Sequence, residues 1–245
     1  MQTSALRTPA KEIETPRMQS DSLSLQELIS VLRCPATGEA LYYQDGRLVN
    51  QSCSKRYQIH DGTPDLRVPP RRLSIDIPWY EPWDDLESLN ISFPEKLSSP
   101  DLPYHLDGYL ASMVPKDSRG RWLLEIGCGE RQAEDWFRGR GLNYVGVDID
   151  YRGPGPNVLG DGHNLPIQDD SMDYCASMAV LEHVISPMAF CREVYRVLKP
   201  GGVFFGSAVF VYGFHDKASF NHMSHAGILY MLRTAGFDVE QVWPD

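Results

Sequence analysis

The chain has 245 residues, is 42% hydrophobic and 23% charged, and carries a net charge of −10 from 23 Lys and Arg against 33 Asp and Glu. That balance excludes wholesale disorder, collagen-like repeats and a small disulfide scaffold, and it disfavours bulk nucleic-acid binding because the surface repels phosphate on average. No apolar run reaches the ~18 residues expected of a membrane span.

Residues 1–23 lack the apolar stretch of a secretory signal and read as a disordered tail. The five cysteines, Cys34, Cys53, Cys128, Cys175 and Cys191, are odd in number and scattered. They favour free thiols in a reducing, cytoplasmic compartment. Residues 24–68 are predicted to form a small β-rich domain, with Gly46 in Gln-Asp-Gly-Arg marking a hairpin turn. Eight of the 18 prolines fall between Pro64 and Pro103. They make 69–101 an irregular connector, since proline at this density prevents long regular elements.

From residue 102 to 245 the pattern alternates. Buried strands are predicted at 122–127, 143–148, 157–160, 172–178, 203–210 and 238–243. Helices are predicted at 130–138, from Ser186-Pro187 to Lys199-Pro200-Gly201-Gly202, and at 223–235 before Gly236. Strands alternating with helices imply an α/β, doubly wound and mainly parallel sheet.

The strongest local feature is Leu123-Leu124-Glu125-Ile126-Gly127-Cys128-Gly129-Glu130, a buried strand running into Gly-x-Gly and then a helix. Glycines allow close backbone approach, and a helix start offers free N–H groups. A dinucleotide fingerprint needs a third glycine where this chain has Gln132. Glu130 also disfavours a pyrophosphate, so a ligand with a cationic end fits better. Asp148 ends the second strand, 21 residues after Gly127, the spacing of a ribose-binding acid. Asp161 and Gly162 follow the third strand, so acids and glycines share one sheet edge.

Residues 121–242 resemble a class I S-adenosylmethionine-dependent methyltransferase, of the methyltransferase type 11 kind. The segments LLEIGCGE, VGVDID, GDGHNLPI, SMDYCASMAVLEHV and RVLKPGGVFF carry the resemblance, in the family's order. It implies S-adenosylmethionine as cofactor in a Rossmann-like domain. Gly127, Cys128 and Gly129 would carry its methionine portion, with Glu125 below the ammonium. Asp148 would take the ribose hydroxyls and Ile149 the adenine face. Asp161 and Gly162 would meet the adenine amino edge, and Met178 would flank the cofactor. Arg131 stands where many members carry a further glycine, which implies an altered turn.

His183, in Leu-Glu-His-Val, reads either as a base near the transferred methyl or as a structural histidine. His215, His222 and His225 cluster after the fifth strand, where His222 is a weaker candidate base and surface histidines are the alternative. The acceptor would enter between 102–114, 179–186 and 211–226. The charge favours a small-molecule or lipid-like acceptor. An RNA or translation-factor acceptor is the alternative, with Arg67, Arg71 and Arg72 as the patch to test. A non-catalytic partner protein retaining the fold is another.

The segment Cys34-Pro35-Ala36-Thr37 … Asn50-Gln51-Ser52-Cys53 resembles a Trm112-like, zinc-ribbon-like module across 24–68. Thr37 and Asn50 stand where the metal form has cysteines, so no zinc is expected. Packing of Leu32, Leu41, Val49, Tyr57 and Ile59 is expected to hold it. The resemblance implies a seventh, antiparallel strand after the sixth, and the sequence stops at Asp245, so either the chain is truncated or the sheet ends at six strands. An exposed edge strand, or the small domain, would then invite a protein partner.

Overall fold

The computed structural model describes residues 23–68, 102–103, 106–210 and 219–242. All but residue 23 of the expected tail (1–23), the whole of the connector (69–101), His215, Arg71 and Arg72 lie outside the described residues.

Helix α1 (Leu25–Val31) starts at a capping box, in which the Ser24 hydroxyl accepts from Glu27 N–H and the Glu27 carboxylate accepts from Ser24 N–H. Strands β1 (Leu41–Gln44), β2 (Arg47–Asn50) and β3 (Arg56–Tyr57) form an antiparallel sheet in that order. The β1–β2 hairpin turns through Asp45 and Gly46, both at positive φ. A two-stranded ribbon follows, β4 (Ile59–His60) with β5 (Thr63–Pro64).

Helix α2 (Gly108–Ser112) precedes the main sheet, which has five parallel strands among the described residues: β6 (Trp122–Ile126), β7 (Asn143–Asp148), β8 (Val158–Leu159), β9 (Met172–Met178) and β10 (Leu198–Ser207). Their spatial order is β10-β9-β6-β7-β8, all neighbours parallel. The order reverses at β6, so a crevice opens beyond the carboxyl ends of β6 and β9, where open α/β sheets bind ligands. Helices α3 (Glu134–Arg138), α4 (Pro187–Val197) and α5 (His225–Ala235) complete the unit.

Several boundaries differ from expectation. The helix expected over 130–138 begins only at Glu134, because Gly129 and Arg131 are left-handed and residues 129–133 turn before the helix can start. The third strand shrinks to Val158–Leu159. The fifth runs over Leu198–Ser207, with a register irregularity between Leu198 and Val203 that absorbs Pro200, Gly201 and Gly202. The third helix expected over 223–235 starts at His225, capped by the Ser224 hydroxyl. The strand expected at 238–243 does not form among the described residues, where only Val242 makes a single bridge. Phe237 and Val239 turn inward while Asp238 and Glu240 face solvent, so the alternation of a strand survives without its ladder. Phe237 is held by side chains instead, 5.2 Å from the Tyr195 ring and 5.7 Å from Phe204.

The N-terminal β region packs onto the main sheet. Leu32 bridges Ile167, Asp65 bridges Leu159 in parallel, and Leu66 N–H donates to Leu159 O at 2.8 Å. Thus β8 is not left as an open edge. Leu32, Leu48 and Leu66 are fully buried and share one core with Val158, Leu165 and Ile167. A second core lies on the other face of the sheet, around Leu123, Phe137, Tyr144 and Phe205.

Two hydrogen-bonded turns form over Cys34–Gly38 and Asn50–Cys53. Cys34 O accepts from Gly38 N–H, and Asn50 O from Cys53 N–H. Asn50, 1% exposed, sits between them. Its Nδ2 is surrounded by Thr37 Oγ1 (3.4 Å), Ser52 Oγ (2.9 Å), Ser54 Oγ (3.1 Å) and Glu39 Oε2, and its Oδ1 accepts from Lys55 N–H at 2.7 Å. Cys34 is buried against the Tyr57 hydroxyl, whereas Cys53 is exposed. Of the expected packing set, Leu32, Leu41 and Tyr57 lie in the core and Ile59 packs against it, whereas Val49 is buried outside that cluster; the polar hub adds to this packing.

Candidate functional site

The carboxyl end of β6 enters a tight turn at Gly127 (φ +74°) and Gly129 (φ +51°). A Cβ on Gly127 would lie 2.2 Å from Val180 Cγ2, so the glycine lets Val180 close over the turn. A Cβ on Gly129 would meet nothing within 4 Å, and the backbone there is open to a ligand. Gly127 N–H donates to Val147 O, and Gly129 N–H donates to Asp148 Oδ2 at 2.8 Å. Asp148 Oδ1 also accepts from Asp150 N–H. This carboxylate therefore links the glycine turn to the loop after β7. Arg131 holds a left-handed φ of 57° and fixes the turn from below, through Glu134 (2.8 Å) and Gly155 O (2.6 Å).

Glu125 lies beneath the turn, buried, and accepts a short hydrogen bond from the Tyr144 hydroxyl. Burial, aided by the negative charges of Glu134 and Asp148, pushes its carboxyl up to about 7 against the pull of Tyr144. Burial and Glu125 also push the Tyr144 phenol and the Cys128 thiol upward, leaving both protonated. Gly146 makes room for this cluster, since a Cβ there would lie 2.8 Å from both Cys128 Sγ and the Tyr144 hydroxyl. Cys128 is thus a small buried packing residue.

Ile149 is 56% exposed beside this turn. Its carbonyl accepts from Arg67 at 3.2 Å, and the same guanidinium is paired twice with Asp65. Arg67 thus links Asp65 to the Ile149 loop while its side chain remains 40% exposed.

Beyond β8, Asp161 is 8% exposed. Burial pushes its carboxyl up, but the hydrogen bonds from His163 outweigh this and hold it below the usual range. Gly162 backs onto Phe190, whose ring carbons would lie 2.8 Å from a Cβ. Asn164 Nδ2 donates to Pro35 O (3.0 Å) and Val68 O (2.8 Å), tying this loop to the N-terminal region.

Beyond β9, Met178 is buried and Ala179 takes a positive φ of 53°. A short turn follows over Leu181–His183. His183 is partly exposed, with Nε2 3.9 Å from Glu182 Oε1. The Glu182 carbonyl accepts from Phe220 N–H (2.7 Å) and Asn221 N–H (3.1 Å), and Asn221 Nδ2 donates to Val184 O (2.6 Å). The exposed His222 therefore follows a segment bonded to the turn that carries His183. Glu182 is fully buried with both carboxylate oxygens lacking a hydrogen-bond partner. Sequence reading gave no role to Glu182 or His163, and it placed Arg67 in a possible basic patch without its bond to the Ile149 loop. The adjacency of Glu182 to His183 was a signal, but burial and tertiary partners carry no signature in the sequence.

Among the described residues, no three His, Cys, Asp or Glu side chains gather as a metal site, and no helix is long and apolar enough to cross a membrane. The glycine turn, open backbone at Gly129, acid at Asp148 and exposed apolar Ile149 suit an adenosyl ligand with a cationic amino-acid end.

Residues 124–206 match the family model described as a methyltransferase domain. The chain is 38% identical over 95 residues to an uncharacterized methyltransferase of Mycobacterium ulcerans, and 40% identical over 93 residues to one of Mycobacterium sp. strain KMS. Each match covers 34% of this chain and 37% of the relative, so the chain spans just over a third of the length of the curated relatives it matches. An S-adenosylmethionine-dependent methyltransferase structure from Mesorhizobium loti is similar with a TM-score of 0.45 and 21% identity, covering 54% of this chain and 81% of that one. Residues 124–206, which hold the parallel sheet's glycine turn, are thus similar to a methyltransferase domain.

Proposed function

We propose that this chain transfers a methyl group from S-adenosylmethionine to a small-molecule or lipid-like acceptor. The observation that carries the cofactor half is Asp148, whose carboxylate ties the open glycine turn to the loop bearing Ile149. In this reading Gly127, Cys128 and Gly129 line the methionine end through backbone, and the Glu125 carboxylate offsets its ammonium. Asp148 accepts from the ribose hydroxyls, Ile149 covers the adenine, Asp161 and Gly162 border its amino edge, and Met178 flanks the group. When bound, S-adenosylmethionine supplies a methyl group already activated by its sulfonium. The protein then supplies alignment and exclusion of water, plus at most one base. His183 is the candidate base, with His222 weaker: His183 is partly exposed on the turn next to Val180, which itself covers Gly127. The net charge of −10 favours a small-molecule or lipid-like acceptor over RNA.

Calorimetric titration with S-adenosylmethionine and S-adenosylhomocysteine tests the cofactor half, and Asp148→Ala is expected to weaken both by at least about tenfold, or 1.4 kcal/mol. Transfer of labelled methyl from the cofactor into a cell extract tests the acceptor. Label in the solvent-extractable fraction supports this reading, while label confined to RNase-sensitive or protease-sensitive polymer overturns it.

A further inference from the structure

His163 stands between two loops that the proposed site uses for different partners. Its Nδ1 lies 2.7 Å from Asp161 Oδ1, and its backbone N–H donates to the same oxygen at 2.9 Å. On the far side of the ring, Ser186 N–H donates to Nε2 at 3.1 Å. A nitrogen that accepts an N–H carries a lone pair, so the ring proton sits on Nδ1 and donates to Asp161. The side chains of His163 and Asp161 are only 12% and 11% exposed, which shields both bonds from competing water.

Ser186 is a junction. Its hydroxyl accepts from Ala189 N–H and caps α4, and it closes the turn that begins at Ala179. The other end of that turn is pinned by Val180 against Gly127. The turn over 179–186 is therefore fastened at one end to the glycine turn and at the other to the Asp161 loop. Between the fastenings lie His183 and the buried, unbonded carboxylate of Glu182.

We propose that His163 is a positioning residue that couples cofactor contact at Asp161 to the order of the acceptor-facing turn 179–186. This rests on the adenosyl reading of Asp161. A ligand at Asp161 restrains its carboxylate, the Nδ1–H bond restrains the ring, and Nε2 restrains the Ser186 backbone. The acceptor-facing turn then becomes ordered once cofactor has bound.

The experiment uses the full chain, with S-adenosylhomocysteine as probe. Binding is read by calorimetry and order by hydrogen–deuterium exchange over 179–190. His163→Asn keeps a donor at the Nδ1 position but is too short to reach Ser186, while His163→Gln spans both partners. In the unsubstituted chain and His163→Gln, the probe is expected to slow exchange over 179–190. In His163→Asn it is expected to bind within about threefold, with that slowing lost. Equal slowing in His163→Asn, or a ring proton found on Nε2 by nitrogen-15 NMR, overturns the coupling while leaving the cofactor reading intact. Absence of binding to the unsubstituted chain overturns the cofactor reading, and the coupling with it. His163→Ala alone does not decide the matter, because its loss of both bonds also threatens folding.

Discussion

Gly129 N–H donates to Asp148 Oδ2 at 2.8 Å, so the acid expected at the ribose also holds the glycine turn in place. Two effects are therefore expected from one substitution. Asp148→Ala frees Gly129 N–H and Asp150 N–H together, and should lower stability by about 0.5–1.5 kcal/mol without any ligand. It should also abolish the rise in melting temperature given by S-adenosylhomocysteine. Asp148→Asn keeps an acceptor oxygen and should recover most of the stability but little of the ligand response. Parallel behaviour of the two variants in thermal unfolding would break the argument.

Glu125 predicts a pH dependence with a definite sign. Its carboxyl rises from the usual 4.5 to about 7, mainly because it is buried. The native state thus holds a proton that the unfolded chain releases between these values. The associated stability is complete below about 4.5 and is lost as the pH rises through about 7, for a total of about 3 kcal/mol. Glu125→Gln, which still accepts from Tyr144, should flatten that slope in urea unfolding measured from pH 5 to 8. An unchanged slope would remove Glu125 as its source. A cofactor ammonium above this carboxyl should expel the proton, so the binding enthalpy at pH 6 should vary with the ionisation enthalpy of the buffer.

Arg131 opposes strain to contact. A left-handed residue with a side chain costs roughly 1 kcal/mol more than glycine, while its guanidinium gains Glu134 and the Gly155 carbonyl. Arg131→Ala keeps the strain and loses the contacts, and Arg131→Gly loses both. The glycine variant should therefore be about 1 kcal/mol more stable than the alanine variant, by denaturant midpoints at equal slope. The reverse order would show that the turn is not strained.

Residue type made much of this site legible before any coordinates. Gly127, Gly129 and Asp148 declare themselves because a strand, a glycine turn and a strand-end acid are local patterns, and β9 was expected at its observed limits, 172–178. The delayed start of α3 was harder to see, since only the left-handed backbone of Arg131 reveals it. Residues 238–242 alternate like a strand, and nothing in that alternation tells whether a neighbour completes the ladder. His163, Arg67 and Glu182 matter through partners 23, 82 and 38 residues away at Ser186, Ile149 and Phe220, beyond the reach of periodicity.

Asn50 predicts that a polar hub holds together the turns at Cys34–Gly38 and Asn50–Cys53. The side chain is 1% exposed, with oxygens of Thr37, Ser52, Ser54 and Glu39 around its Nδ2 and Lys55 N–H on its Oδ1. Asn50→Ala removes these bonds, at a cost of about 0.5–1.5 kcal/mol for each bond lost. Asn50→Asp should be worse, because a new charge would face the Glu39 carboxylate. Stability unchanged in Asn50→Ala, by chemical denaturation, would mean that apolar packing alone suffices there.

Leu66 predicts that the N-terminal β region and the main sheet unfold together. It is fully buried in the core shared with Val158, Leu165 and Ile167, and its N–H completes a bond to Leu159 on the β8 edge. Removing the side chain to alanine leaves a cavity between the two parts, at a cost of about 2–5 kcal/mol. If the parts share one cooperative transition, the whole melting curve shifts, and Trp122 and Trp136 in the sheet unit report the same midpoint as far-ultraviolet circular dichroism. If instead the N-terminal region unfolds by itself, the curve splits and the tryptophan signal keeps its original midpoint. The single shifted transition is expected, because Asn164 and Arg67 add hydrogen bonds across the same junction, to Val68 and Ile149. Those bonds end on the loops that flank Asp161 and Asp148, so Leu66→Ala should also weaken S-adenosylhomocysteine binding even at temperatures where the chain remains folded.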